Sequence, residues 1–68
     1  MTTATATRII VKRLTKAGFV ARKAKGSHTM FSKGTVDVSV PTGHRMVSPG
    51  VVRQVDRAIE AASKEEDR

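Results

Sequence analysis

The stretch FVARKAKGSHTMFSKGTVDVSV, residues 19–40, is divided into three short runs by two lysine–glycine pairs. In the last run Val36, Val38 and Val40 alternate with polar residues, a period of two that predicts a strand with one buried face. Because glycine takes positive φ without a steric penalty, each Lys-Gly pair predicts a tight turn. The stretch therefore predicts a three-stranded antiparallel meander, with strands over residues 19–24, 27–32 and 35–40.

An amphipathic helix is predicted before this meander. Ile10, Leu14 and Ala17 recur at i, i+4 and i+7, which places them on one apolar stripe of a helix. Thr7 is a suitable N-cap residue, and Gly18 follows the stripe in the position where glycine commonly ends a helix. We therefore expect a first helix that starts after Thr7 and ends at about Ala17.

A second amphipathic helix is predicted after the meander. Pro41 ends the third strand because it has no N–H for the ladder, and residues 41–47 are expected to form a loop. Ser48 and Pro49 then form a typical helix start, an N-cap followed by proline at the first helical position. The apolar stripe of this helix consists of Val52, Val55, Ile59 and Ala62.

These elements predict a single α+β domain of two layers. Its order is α-β-β-β-α, with both helices on one face of a three-stranded antiparallel sheet, where they cover the valines. We expect residues 8–63 to form this domain, residues 1–7 to be a flexible leader and residues 64–68 to be a frayed charged tail. Neighbours on a strand point to opposite faces, so we assign Phe31, together with Phe19, to the core. That assignment turns His28 and Met30 to the open face.

The composition excludes several function classes. The chain has 68 residues, enough for one small domain, and no cysteine, so disulfides, thiolate metal ligands and thiol nucleophiles are excluded. With two histidines and six acids, we expect neither a metal site nor a cofactor. The sequence has no apolar run long enough for a membrane span, and residues 1–7 lack the regions of a signal peptide. We therefore expect a cytoplasmic protein.

Positive charge is concentrated in the first half of the chain. Residues 1–36 contain eight bases and no acid, whereas residues 37–68 contain five bases and six acids, which gives the net charge of +7. Such a field attracts polyanions, of which nucleic acid is the commonest and an anionic membrane surface the second. The alternative is a charge that serves solubility alone.

Two segments resemble a known family. Residues 17–31, AGFVARKAKGSHTMF, resemble the part of HicA toxins in which a Gly-Phe strand leads to a Lys-Gly-Ser-His turn. Residues 40–59, VPTGHRMVSPGVVRQVDRAI, resemble the second half of those proteins, with a Val-Pro strand end, a histidine-containing loop and a Pro-Gly helix start. The order helix–strand–strand–strand–helix is also that of the double-stranded-RNA-binding fold. The resemblance extends over about residues 8–62.

The resemblance implies an mRNA interferase, the RNA endonuclease toxin of a type II toxin–antitoxin pair. It implies that the histidine after Gly-Ser, here His28, is catalytic and that no metal is needed. It further implies a monomer when free that forms a hetero-oligomer with a HicB-type antitoxin. The chain departs from the family at Thr29, where relatives often have a second polar or histidine residue, and in its loop PTGHRMVS, which is less rich in lysine.

The chemistry of RNA cleavage suits a histidine independently of the resemblance. RNA carries its own nucleophile, the 2′-OH, and imidazole titrates near neutrality, so it can accept or deliver the proton. Nearby cations can stabilise the phosphorane, and backbone N–H groups beside a glycine can approach a phosphate closely. The expected RNA-binding or phosphate-binding residues are Lys23, Lys25, Gly26, Ser27, Lys33, His44 and Arg45.

Other interpretations remain open for these residues. His28 can be a half-exposed polar residue at a strand start. His44, beside Arg45, can contact a phosphate or donate a second proton, but we favour a loop residue that packs on the helix start. Ser27 is not expected to be a nucleophile because no acid accompanies Ser27 and His28. For the whole chain, the alternatives are a non-catalytic RNA- or DNA-binding module and a small protein that docks on an acidic partner.

Overall fold

The computed structural model describes residues 4–66 and confirms the predicted α+β architecture, a three-stranded antiparallel sheet with two helices. In chain order the elements are β1 (Thr5–Ala6), α1 (Thr7–Lys16), β2 (Val20–Lys25), β3 (His28–Lys33), β4 (Val36–Val40), β5 (Met46–Val47) and α2 (Pro49–Glu66).

The meander has the strand order β2-β3-β4, and both pairings are antiparallel. Gly26 and Gly34, in the two connecting turns, each have a φ of +61°, a conformation that glycine adopts without strain. Phe31 lies opposite Val38, and Met30 lies opposite Ser39. The register of β2 against β3 shifts between residues 21 and 23, which is a bulge near one edge of the sheet.

The core lies on one face of this sheet, beneath both helices. Phe31 is 3% exposed, whereas its neighbour Met30 is 38% exposed, so the predicted assignment of the two faces is confirmed. Phe19 is also buried, as predicted. The buried apolar residues are Ile10, Leu14, Phe19, Phe31, Val38, Val40, Val47, Val52, Val55, Ala58 and Ala62.

Helix α1 ends as its sequence predicts. Gly18 has a φ of +98°, and the N–H of Phe19 donates to the carbonyl of Leu14 over 2.9 Å. This is the bond that closes a Schellman motif. The Lys33 ammonium donates to the carbonyl of Ala17 over 2.7 Å, so β3 supplies a cation to the C-terminal end of the helix, where positive charge is favourable.

The predicted loop over residues 41–47 is wrong at its end. Met46 and Val47 form β5, which pairs antiparallel with Thr5 and Ala6 of β1. Val47 is 1% exposed, and its burial favours this pairing. Two-residue strands so far apart along the chain leave no periodicity to detect.

The predicted cap of α1 is also wrong. The N-cap residue is Ala6, without a side-chain hydrogen bond, and Thr7 is the first residue of the helix. The Thr7 N–H donates to the carbonyl of Arg45 over 2.9 Å, and its hydroxyl donates to the carbonyl of His44. Thr7 therefore anchors the loop before β5 and does not cap its own helix.

The predicted leader and tail are partly contained in these elements. Thr5 and Ala6 belong to β1, and Thr7 begins α1, while residues 1–3 lie outside the described residues. Helix α2 continues through residues 64–66, and residues 67–68 lie outside the described part. Glu65 accepts a hydrogen bond from the Thr35 hydroxyl over 2.8 Å, which fastens the last turn of α2 to the β3–β4 turn.

Candidate active site on the open sheet face

His28 is the first residue of β3 and lies directly opposite Lys25 of β2. Its position follows from the strand period, because His28 and Met30 are two residues apart and share the face that the helices leave open. The side chain of His28 is exposed. The structure therefore places an imidazole where a large ligand can reach it.

A shallow depression of about 420 Å³ surrounds this imidazole. Its lining consists of Lys23, Lys25, His28, Met30 and Ser39. The two lysines come from β2 and are two residues apart, so both project from the same face. The depression thus combines two cations and one proton-transfer group around an apolar floor, a set that suits a phosphodiester with a base or ribose beside it.

Ser27 is the direct neighbour of the His28 ring. Its hydroxyl lies 3.3 Å from Nδ1 of His28, a long hydrogen bond. Within residues 4–66, the Nε2 atom of His28 has no hydrogen-bond partner. The contact to Nδ1 leaves Nε2 as the nitrogen that can exchange a proton with a ligand.

The loop formed by residues 41–45, hereafter the 41–45 loop, lies against the turn that precedes His28. The N–H of Gly43 donates to the carbonyl of Ser27 over 2.8 Å. His44 and Arg45 follow in this loop with exposed side chains, and their carbonyls accept the two hydrogen bonds from Thr7. The structure thus brings this loop to the His28 end of the sheet, next to Gly26 and Ser27.

Lys33 is not brought together with the other predicted residues. It is five positions from His28 on the same strand, so the two lie about 17 Å apart along β3 and face opposite sides of the sheet. Its ammonium bonds to Ala17 at the end of α1. Its position favours a role in helix capping over the predicted phosphate contact beside His28.

Met30, Ser39 and Arg22 were not among the predicted site residues, although Met30 was predicted to lie on this face. Met30 and Ser39 line the depression through cross-strand pairing, and Arg22, at the bulge, lines a neighbouring hollow with Lys23 and Asp37. The alternation of β4 would have placed Ser39 on the open face, but only the register places it beside Met30.

Asp37 is the one acid that lines either of these two hollows. It accepts a hydrogen bond from the hydroxyl of Ser32, its cross-strand neighbour. Asp37 lies on β4, opposite Ser32 and towards the end of β3 that is remote from His28. The charge at the His28 end is therefore positive, as the uneven distribution of bases along the chain predicts.

The described part of the chain contains neither a cluster of metal ligands nor a membrane-spanning helix. Residues 4–66 contain no group of three histidine, cysteine, aspartate or glutamate side chains close enough to hold a metal ion. Neither described helix is both long and apolar enough to cross a membrane.

The comparisons with known proteins give no match: no protein family, no curated protein and no solved structure is detectably similar to this chain. The resemblance to HicA toxins rests on the quoted segments alone, and the function is therefore inferred from the geometry of the open face.

Proposed function

We propose that this chain is an RNA endonuclease of the HicA type, an mRNA interferase that uses His28 as its single proton-transfer histidine. One observation carries the proposal. His28 lies exposed in a depression with Lys23 and Lys25, and its Nε2 atom has no partner among residues 4–66.

The reaction uses the ribose of the substrate as the nucleophile. The neutral His28 imidazole removes the proton from the 2′-OH, the 2′-oxygen forms a bond to phosphorus, and the bond from phosphorus to the 5′-oxygen breaks. The leaving 5′-oxygen takes a proton from the resulting imidazolium or from water. The products are a 2′,3′-cyclic phosphate and a 5′-OH end, so atoms and electrons balance without a redox partner.

The lysines of β2 stabilise charge during this reaction. Lys23 and Lys25 share the rim of the depression with His28, where their ammonium groups can neutralise a phosphorane. A positioned proton-transfer group contributes roughly 10²- to 10⁴-fold. We therefore expect an exposed site with one such group and two cations to cleave RNA slowly. A slow rate of cleavage is sufficient for an enzyme that arrests growth.

RNA is expected to be held largely by its backbone, as in relatives of the double-stranded-RNA-binding fold, where phosphate and 2′-OH contacts dominate. Gly26 and Ser27 form the turn before His28, and His44 and Arg45 follow Gly43 in the loop that contacts this turn. They are proposed as further phosphate contacts, although the Arg45 side chain lines a separate hollow beside α1. We further propose that the protein acts in the cytoplasm and is held inactive by a HicB-type antitoxin.

Cleavage of RNA in the presence of a chelator tests the proposal. Purified protein is incubated with total RNA and EDTA, and the new ends are identified chemically. The expected result is fragments with 2′,3′-cyclic phosphate and 5′-OH ends from the wild type and none from His28→Ala. The matched control is His44→Ala, which is expected to retain cleavage.

A non-catalytic RNA-binding module is the second candidate. The observation that favours it is that the five residues lining the depression include one histidine, whereas two proton transfers are needed in each cleavage. A mobility shift of RNA without cleavage would support this candidate and contradict the first. If the protein neither binds nor cleaves RNA, the result would favour a protein that docks on an acidic partner.

A further inference from the structure

The 41–45 loop contacts both chain neighbours of His28. On one side, the N–H of Gly43 donates to the carbonyl of Ser27 over 2.8 Å. On the other side, the hydroxyls of Thr42 and Thr29 share a hydrogen bond of 2.6 Å. The backbone that carries the imidazole is therefore fastened before and after His28 by adjacent residues of one loop.

The contact at Gly43 leaves no room for a side chain. A Cβ atom at this position would lie 2.5 Å from Cβ and 2.9 Å from Cα of Ser27, far inside van der Waals contact. The loop approaches the turn this closely because residue 43 is a glycine. Any larger residue must push the loop and the turn apart.

The far side of the 41–45 loop is held by helix α1. Thr7 is 7% exposed, and it donates its N–H to Arg45 and its hydroxyl to the carbonyl of His44. Since β5 follows directly and pairs with β1, the loop cannot retreat from a side chain at position 43 without breaking these bonds. The strain of such a substitution is instead transferred to Ser27.

We infer that the 41–45 loop positions the His28 imidazole, with Gly43 and Thr42 as positioning residues that act through Ser27 and Thr29. The inference rests on the proposed function for its catalytic consequence. Ser27 links the loop to the imidazole, because its hydroxyl lies 3.3 Å from Nδ1 of His28. A shift of the Ser27 backbone therefore moves both this hydroxyl and the ring. A displacement of about 1 Å at a reacting group can lower a rate about 100-fold.

Three variants test the inference. Gly43→Ala forces the loop from the turn, Thr42→Val removes the shared hydroxyl while it keeps the volume, and Thr42→Ser restores that hydroxyl. Gly50→Ala is the matched control for the glycine, because a Cβ there lies 3.9 Å from its nearest neighbour, the Ser48 hydroxyl. Thr15→Val is the control for the threonine, since Thr15 is exposed on α1.

Two measurements test the inference on each variant, and a third checks that the variant folds. The first is kcat and KM for cleavage of an RNA oligonucleotide, and the second is the set of imidazole ¹⁵N and ¹H NMR signals of His28, which reports the tautomer and surroundings of the ring without any need for activity. Thermal unfolding identifies any variant that fails to fold. If Gly43→Ala fails to fold, the inference is tested with Thr42→Val alone.

The expected result is a fall in kcat of about 10- to 100-fold for Gly43→Ala and Thr42→Val, with KM changed less than about threefold and with shifted His28 signals. Thr42→Ser and both controls should resemble the wild type. Unchanged kcat and unchanged His28 signals in a folded Gly43→Ala or Thr42→Val would overturn the inference. If the wild type does not cleave RNA, the proposed function fails, and shifted His28 signals would still support the positioning role.

Discussion

At the scale of single residues, the position of His28 follows from the period of a strand. His28 and Phe31 are an odd number of residues apart on β3, so one faces the open side and the other the core. Phe31 is 3% exposed and His28 is exposed. Met30, two residues further along β3, lies on the same open face as His28.

His28→Ala is therefore expected to leave the fold intact. Alanine at an exposed strand position opens no cavity, so the free energy of unfolding should change by no more than about 0.5 kcal/mol. RNA affinity depends on several bases and should stay within about twofold. Thermal unfolding and a filter-binding assay measure the two quantities. A large drop in Tm would show that His28 is structural, and an unchanged cleavage rate would direct attention to His44.

At the scale of elements, β2 and β3 carry lysines with two different roles. Lys23 and Lys25 project from the open face into the depression beside His28. Lys33, at the other end of the hairpin, bonds to the carbonyl of Ala17. Residues of one type and charge are thus divided between the candidate site and the closing of a helix.

Lys33→Met and Lys25→Met are expected to separate these two roles. Loss of the bond to Ala17 should lower the free energy of unfolding by about 1 kcal/mol in Lys33→Met, with little change in RNA affinity. Lys25→Met should weaken RNA binding and leave stability nearly unchanged, since Lys25 is exposed. Urea denaturation and RNA binding at one fixed salt concentration provide the comparison. Equal losses of RNA affinity in both variants would contradict the division.

At the scale of the whole molecule, the charge distribution favours a polyanionic ligand. The net charge is +7, and the salt bridges among the described residues include Arg13 to Asp56 and Lys64 to Glu60. These pairs are exposed and contribute little to stability. The bases of β2 are not part of either pair, so their charge is available to a ligand.

RNA binding should consequently weaken steeply as salt concentration rises. The logarithm of the affinity is expected to fall linearly with the logarithm of the salt concentration, with a slope of about −0.7 for each phosphate contacted in a single strand. Replacement of both Lys23 and Lys25 by glutamine should make that slope shallower by about 1 to 2. Titrations at several salt concentrations measure the slope. A slope near zero would contradict nucleic-acid binding of any kind.

The proposed antitoxin should be attracted by the same positive charge on the His28 face. An acidic partner that covers the His28 face would block RNA by charge and by shape. Reversal of charge at Lys23 and Lys25 is therefore expected to slow association with the product of the neighbouring gene, mainly at low salt, as stopped-flow mixing can measure. The charge-conserving variants with arginine at both positions are the control. Unchanged RNA cleavage in excess of that product would contradict the partnership.

Much of the fold was predictable because its signals are local. The valines of β4 alternate over five residues, Gly18 and Gly26 have the positive φ that their turns require, and the stripes of both helices are regular. The candidate site was predictable in part for the same reason. Lys23, Lys25 and His28 occupy one face through the period of two, whereas Lys33, at the far end of the same hairpin, bonds to the end of α1.

The sequence by itself thus determined the helices, the meander, the buried face and the exposed position of His28, since each depends on residues a few positions apart. Only the tertiary structure decided the pairing of β1 with β5, the anchoring of the 41–45 loop by Thr7 and the contact of Gly43 with Ser27. These contacts join residues 16 to 42 positions apart, where no periodicity links the partners. They form because the packed core brings the ends of separate elements together, where their polar groups must find hydrogen-bond partners.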